Sequence, residues 1–139
     1  MSNLNVNIGS SLLKFTFSDS DGEILAAFRM NPADIKLAQR CQELSGYFNG
    51  LNDKVLDNAN LDDIVALNNE IEDKICYMLG YDAKQSLFGM ISATSVLADG
   101  NMFVVHVLDK INEVVEPEIE KRKRSAEKAM AKHTAKYAK

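Results

Sequence analysis

Two histidines and two cysteines, with the usual scatter of carboxylates, are the side chains of this chain best suited to holding a metal or moving a proton near neutral pH. Their spacing gathers none of them into a site. His106 lies among valines, far in sequence from Cys41 and Cys76, and no Cys-x-x-Cys or His-x-x-x-His pattern occurs. Zinc needs three or four such ligands converging, so a satisfied core histidine is the expectation for His106 and an exposed one for His133. Cys41 and Cys76 fall inside amphipathic stretches and read as small buried hydrophobes, kept reduced in a cytosolic setting.

Other catalytic patterns fare no better. Asp19-Ser20-Asp21-Gly22 resembles the opening of a calcium loop, but the position six residues after the glycine, where a bidentate Glu belongs, is Phe28. A hairpin turn is the better reading. No glycine-rich phosphate loop and no Gly-x-Ser-x-Gly elbow occurs. Glu113, Glu116, Glu118 and Glu120 flank Pro117 and read as solvated faces. The chain is expected to carry no cofactor and to be no enzyme.

One polar cluster does stand out. Lys121-Arg122-Lys123-Arg124 opens a basic C-terminal stretch. The net charge of −4 hides the asymmetry. Up to Val115 there are 8 Lys and Arg against 16 Asp and Glu, a net −8, whereas from Glu116 onward 8 face 4, a net +4. An acidic body with a basic tail implies a partner that the tail meets and the body does not. Nucleic acid is disfavoured, because the body would repel phosphates and no aromatics interleave with the basic residues. A membrane surface is disfavoured because the tail's apolar stripe is mostly alanine.

The elements that position these residues follow from the pattern. At 139 residues, 46% apolar and 26% charged, the chain fits one folded domain. No apolar run approaches the roughly 20 residues that span a bilayer. The start lacks the basic and apolar regions of a signal peptide, so the chain is expected to stay where it is made. Leu12–Phe17 and Ile24–Met30, joined through Ser18–Gly22, read as a β-hairpin, and alternation over Asn3–Ile8 offers a third strand.

Asn31-Pro32 reads as the cap and first residue of a helix whose apolar stripe is Ile35, Ala38, Cys41, Leu44 and Phe48, ending near Gly46 to Gly50. A polar connection follows to Asn60. The next helix has Asp62 and Asp63 in its first turn and a stripe of Leu61, Ile64, Val65, Ile71, Ile75, Met78 and Leu79, interrupted by Asn68 and closed by Gly80. Asp82–Phe88 reads as a short helix, Ile91–Leu97 as a loop. Met102–Val115, apolar almost all round, reads as the central core helix.

Pro117 is expected to start a new or kinked helix, because an interior proline costs about 3 kcal/mol. Residues 1–116 then form a compact domain and 117–139 a basic helical tail. Ala126, Ala129, Met130, His133 and Tyr137 make a narrow stripe along the tail. The fold class is α+β, mainly α: an N-terminal hairpin and about four to five helices.

This order of elements, with Asn31-Pro32 through Ile35, Leu87-Phe88-Gly89 and the block Pro117-Glu118-Ile119-Glu120-Lys121, resembles the tail assembly chaperones of long-tailed, non-contractile bacteriophages and prophages of Gram-positive bacteria. The resemblance covers roughly Leu12 to Arg124. It implies a protein in the cytoplasm of the bacterial host that coats the tape measure protein, keeps that long helical chain soluble, helps bring tail tube protein subunits to it, and self-associates. The family has no catalytic residues to carry over.

For such work the residues to back are Lys121, Arg122, Lys123 and Arg124 for charge-steered capture, with Ala126, Met130, His133 and Tyr137 as the docking stripe. The competing reading is a small helical nucleic-acid-associated or regulatory protein that binds phosphates through the same tail. A structural component of the phage tail is a third.

Overall fold

The structure, a computed structural model, describes Asn5, residues 12–51 and residues 60–137, with side chains as far as Met130. The third strand expected over Asn3–Ile8 and most of the connection before Asn60 lie outside the described residues. What is described is a two-stranded antiparallel sheet followed by helices, mainly α.

Strands β1 (Leu13–Ser18) and β2 (Ile24–Met30) pair antiparallel with Phe15 opposite Phe28. Asp19 makes the turn. Its Oδ1 accepts the amides of Asp21 (2.9 Å) and Glu23 (3.0 Å). Gly22 takes φ +83°, the left-handed region that glycine enters without strain. That carboxylate oxygen therefore serves the hairpin. Alternation puts Ala26, Phe28 and Met30 on the core face. Phe15 and Phe17 stack on Phe28 from the neighbouring strand, and Phe17 also meets Phe103 edge-on at 5.1 Å between ring centres, a favoured arrangement for aromatic pairs.

Helix α1 (Ile35–Asn49) starts later than expected. Asn31 closes a separate turn around Pro32, accepting from the Ala33 and Asp34 amides. Asp34 is the N-cap, accepting from the Lys36 amide at 3.0 Å, as its short carboxylate suits it to do. Leu37, not Ile35, is its buried residue; Ile35 is 56% exposed. Residues two apart on a helix point about 200° apart, so both could not face one core.

Helix α2 (Leu61–Leu79) is capped by Asn60, with Asp62 and Asp63 in the first turn as expected. Gly80 terminates it at φ +83°, its amide bonding the Cys76 carbonyl, the usual left-handed helix stop. Its stripe holds over Ile71, Ile75, Met78 and Leu79 and departs from the sequence reading in the first turns. Leu67, Ile71, Ile75, Met78 and Leu79 are buried, while Leu61 is 72% exposed and Val65 is exposed too.

The reason lies in the polar residue that seemed to interrupt the stripe. Asn68 Oδ1 accepts from both the amide (3.0 Å) and the hydroxyl (2.8 Å) of Thr94, and its Nδ2 donates to Glu72 Oε2 at 2.8 Å. Glu72, 8% exposed, also accepts the Ala93 amide at 3.2 Å. Asn68 and Glu72 clamp the loop after the short helix α3 (Lys84–Phe88). That loop in turn holds the start of helix α4 (Phe103–Tyr137), where helix amides lack partners of their own. The Ser95 and Ala93 carbonyls accept from the Phe103 and Val104 amides.

Helix α4 supplies the centre of the core through Phe103, Val104, Val107, Ile111 and Val115. It continues through Pro117 to Tyr137 without starting afresh. Good helix formers follow the proline, and two contacts tie the next turns to the body. Ile119 packs against the core, and Arg122 Nη2 donates to the Ala33 carbonyl.

Candidate protein-binding surface

Beyond Arg122, α4 leaves the body. Lys121, Arg122, Lys123 and Arg124 are exposed, as are Ala126 and Met130, the last at 70%. Helical spacing puts Ala126 and Met130 on the same side as Val115 and Ile119, so the tail stripe continues the face by which α4 packs on α1. Arg122 differs from its basic neighbours. It lies 3.8 Å from Glu118 as well as reaching Ala33, so it anchors the arm and leaves the other three to solvent. The side chains of His133 and Tyr137 lie outside the described residues.

At the root of the arm lies a feature that spacing alone did not reveal. Between α1 and α4 runs an open groove of about 660 Å³, its apolar lining Ile35, Ala38, Cys41, Val115 and Ile119, with Glu116 and Lys123 also on its α4 wall. A second hollow of about 300 Å³ continues it toward Phe48, Leu51, Met78 and Val105. The two share Cys41, Ser45 and Asn112. The sequence did carry one signal for the groove. Ile35 and Leu37 point too far apart to serve one core, so a second apolar surface on α1 was needed.

Burial among apolar neighbours pushes the Cys41 thiol up to about 11, which keeps it protonated and poorly nucleophilic at neutral pH. Burial also raises Cys76. Both thiols are free.

Elsewhere the ion pairs are isolated ones. His106 is half-buried, its Nε2 2.8 Å from Asp99 Oδ2, close enough for charge attraction when protonated but off the hydrogen-bonding direction. It is thus a half-buried helix residue beside Asp99 rather than a satisfied core one. Asp99 itself is held below the usual carboxylate range, first by the Asn101 amide and less by His106. Lys110 reaches Glu113 at 3.2 Å and Lys84 reaches Asp73 at 2.6 Å. Among the described residues no three His, Cys, Asp or Glu side chains converge to hold a metal ion, and no helix is long and apolar enough to cross a membrane.

The surface therefore joins an apolar trough to a basic rod that extends it. In comparisons with known proteins, the chain matches no protein-family model, no curated protein and no solved structure.

Proposed function

We propose that this protein is a phage tail assembly chaperone, binding helical segments of a tape measure protein, keeping that chain soluble and helping to recruit tail tube subunits to it. The observation that carries this reading is the continuity of α4, whose one face lines an apolar groove at its root and then runs out, exposed and flanked by Lys121, Lys123 and Arg124. An amphipathic helix laid against such a face buries its apolar side, while acidic residues on the incoming chain meet the arm's cations. Acidic repulsion from the body keeps the chaperone from precipitating with its client.

The resemblance noted from Asn31-Pro32, Leu87-Phe88-Gly89 and the Pro117–Lys121 block supplies the identity of the client, and the geometry suits the task. The test is co-expression with a phage tape measure protein. The full chain should keep that client in the soluble fraction and co-purify with it. Truncation after Arg124 spares the Ile119 and Arg122 contacts but removes the stripe, and should lose both effects. Full solubilisation by the truncated chain would overturn the assignment to the arm, and failure of the intact chain would overturn the chaperone reading.

A further inference from the structure

Helix α4 is charged like a bar magnet. Between Asp109 and Glu120 it carries Asp109, Glu113, Glu116, Glu118 and Glu120 against Lys110 alone. Between Lys121 and Lys132 it carries Lys121, Arg122, Lys123, Arg124, Lys128 and Lys132 against Glu127 alone. The sign changes at one peptide bond. A helix of this kind cannot pair in parallel with its own copy, because acid would lie on acid and base on base. Turned end for end, each half meets its opposite.

The apolar face obeys the same symmetry. At about 100° per residue, Val105, Leu108, Asn112, Val115, Ile119, Ala126 and Met130 all fall within one arc of about 100°. The first five line the groove or its extension, and the last two lie on the exposed arm. Lengths match as well. At the helical rise, the arm from Arg124 to Tyr137 is about 21 Å long and the groove wall from Val105 to Lys123 about 28 Å.

The geometry points to an antiparallel homodimer in which the arm of each copy lies in the α1/α4 groove of the other. The two-fold axis passes near Lys121. Ala126 of one chain then sits at Val115 of its mate, and Met130 enters where the two hollows join, at Cys41, Ser45 and Asn112. Flanking pairs are Glu116 and Glu120 with Lys123 and Arg124, each formed twice by symmetry. Among the described residues of the arm, Glu127 faces like charge. The ion pairs set direction and register, and the apolar trough holds the arm. Dimerisation does not depend on the identity of the client. For a chaperone it has a consequence, since the stripe that takes the client is covered by a second copy until the client displaces it.

The test is sedimentation velocity on the full chain with two double variants, Lys123→Glu/Arg124→Glu and Glu116→Lys/Glu120→Lys, whose exposed positions leave the core intact, as circular dichroism will confirm. The wild type should be a dimer at low salt that loosens as salt rises. Each variant alone should self-associate at least about tenfold more weakly, because repulsion replaces attraction at the flanking pairs. Mixed in equal amounts, the two variants should pair with each other. A wild type that stays monomeric, a dimer that either variant leaves intact, or a mixture that fails to pair would each overturn the inference.

A second readout fixes polarity. In a Cys41→Ser/Cys76→Ser background, a short bismaleimide should join thiols introduced by Met130→Cys and by Asn112→Cys across the two copies, since Asn112 is exposed where the two hollows meet and lies too far along its own helix from Met130 to be reached within one chain. No link at all, or one formed by Met130→Cys alone between its two copies, would refute the antiparallel seating.

Discussion

Replacing Asn68 with alanine tests how the body aims α4. Three hydrogen bonds go at once: two from Thr94 to the Asn68 carbonyl oxygen, and one from the Asn68 amide to the buried Glu72 carboxylate. At about 1 kcal/mol net for each bond the loss is about 3 kcal/mol. Alanine returns up to about 0.7 kcal/mol through its higher helix propensity, which leaves a net cost of about 2 kcal/mol. Urea unfolding is the assay. With a slope of about 2 kcal/mol per molar, the midpoint should fall by about 1 M with the slope unchanged. Thr94→Val removes the hydroxyl bond from the other side. The double variant should therefore cost less than the sum of the singles, since the two residues share a contact. A midpoint shift below about 0.3 M, or strict additivity, would refute the claim that this clamp holds the Ala93–Ser95 loop and through it the first turn of α4.

Three further perturbations follow from named contacts. Gly80→Ala places a Cβ 2.8 Å from Arg40 Nη2 at φ +83° and disturbs the Arg40 bond to the Met78 carbonyl. A loss of about 2 kcal/mol is expected by thermal or urea melting, and an unchanged midpoint would contradict it. The Cys41 thiol titrates near its ordinary value of 9.0 when unfolded and at about 11 when folded, so the native state holds its proton more tightly. Its contribution is complete below the unfolded value and fades as pH rises through the folded one. Cys41→Ser should therefore show a flatter fall in stability across that alkaline window, and parallel curves would exclude the effect. Pro117→Ala restores an amide to pair with the Glu113 carbonyl in an exposed stretch of the helix. Because the stretch is open to solvent, the gain should be about 1–2 kcal/mol, with slower amide exchange in the arm as a second check, and a destabilised variant would show that the proline's shape is needed.

Local chemistry was legible from the residues in order. Asp19 through Gly22 demanded a hairpin turn, Asn60 with Asp62 and Asp63 demanded a helix start, Gly80 demanded its end, and the density of valines after Met102 marked the core helix; each stands in the structure. Phase was not legible. Periodicity tells that a helix has an apolar stripe, but where two arcs compete the partner element decides which one is buried. Leu37 won over Ile35 because the core lies on its side. Leu67 won over Leu61 and Val65 because Asn68 and Glu72 are engaged by a loop well downstream, at Ala93 and Thr94. The groove was hidden for the same reason: its walls are α1 and α4, far apart in sequence, and neither alone is concave. Lys121 through Arg124 were visible as a cluster, yet only the fold distinguishes Arg122, tied to Ala33, from its exposed neighbours.

The arm's charge gains its meaning from the stiffness of the helix that carries it. A flexible basic tail would fold back on an acidic body and neutralise it within one chain. Here the first half of α4 is locked into the core by Phe103, Val107, Ile111 and Val115, and its direction is fixed again by Ile119 and by Arg122 at Ala33. From that anchor a continuous helix carries the cations away at about 1.5 Å per residue. Beyond the first turn or two they pass out of reach of the carboxylates on their own body, since at physiological salt unscreened attraction extends only about 8 Å. Among the described residues, no carboxylate of the body pairs with Lys121, Lys123, Arg124 or Lys128, so their charge stays open to a second molecule. The same rigidity that holds these cations off the body presents them outward.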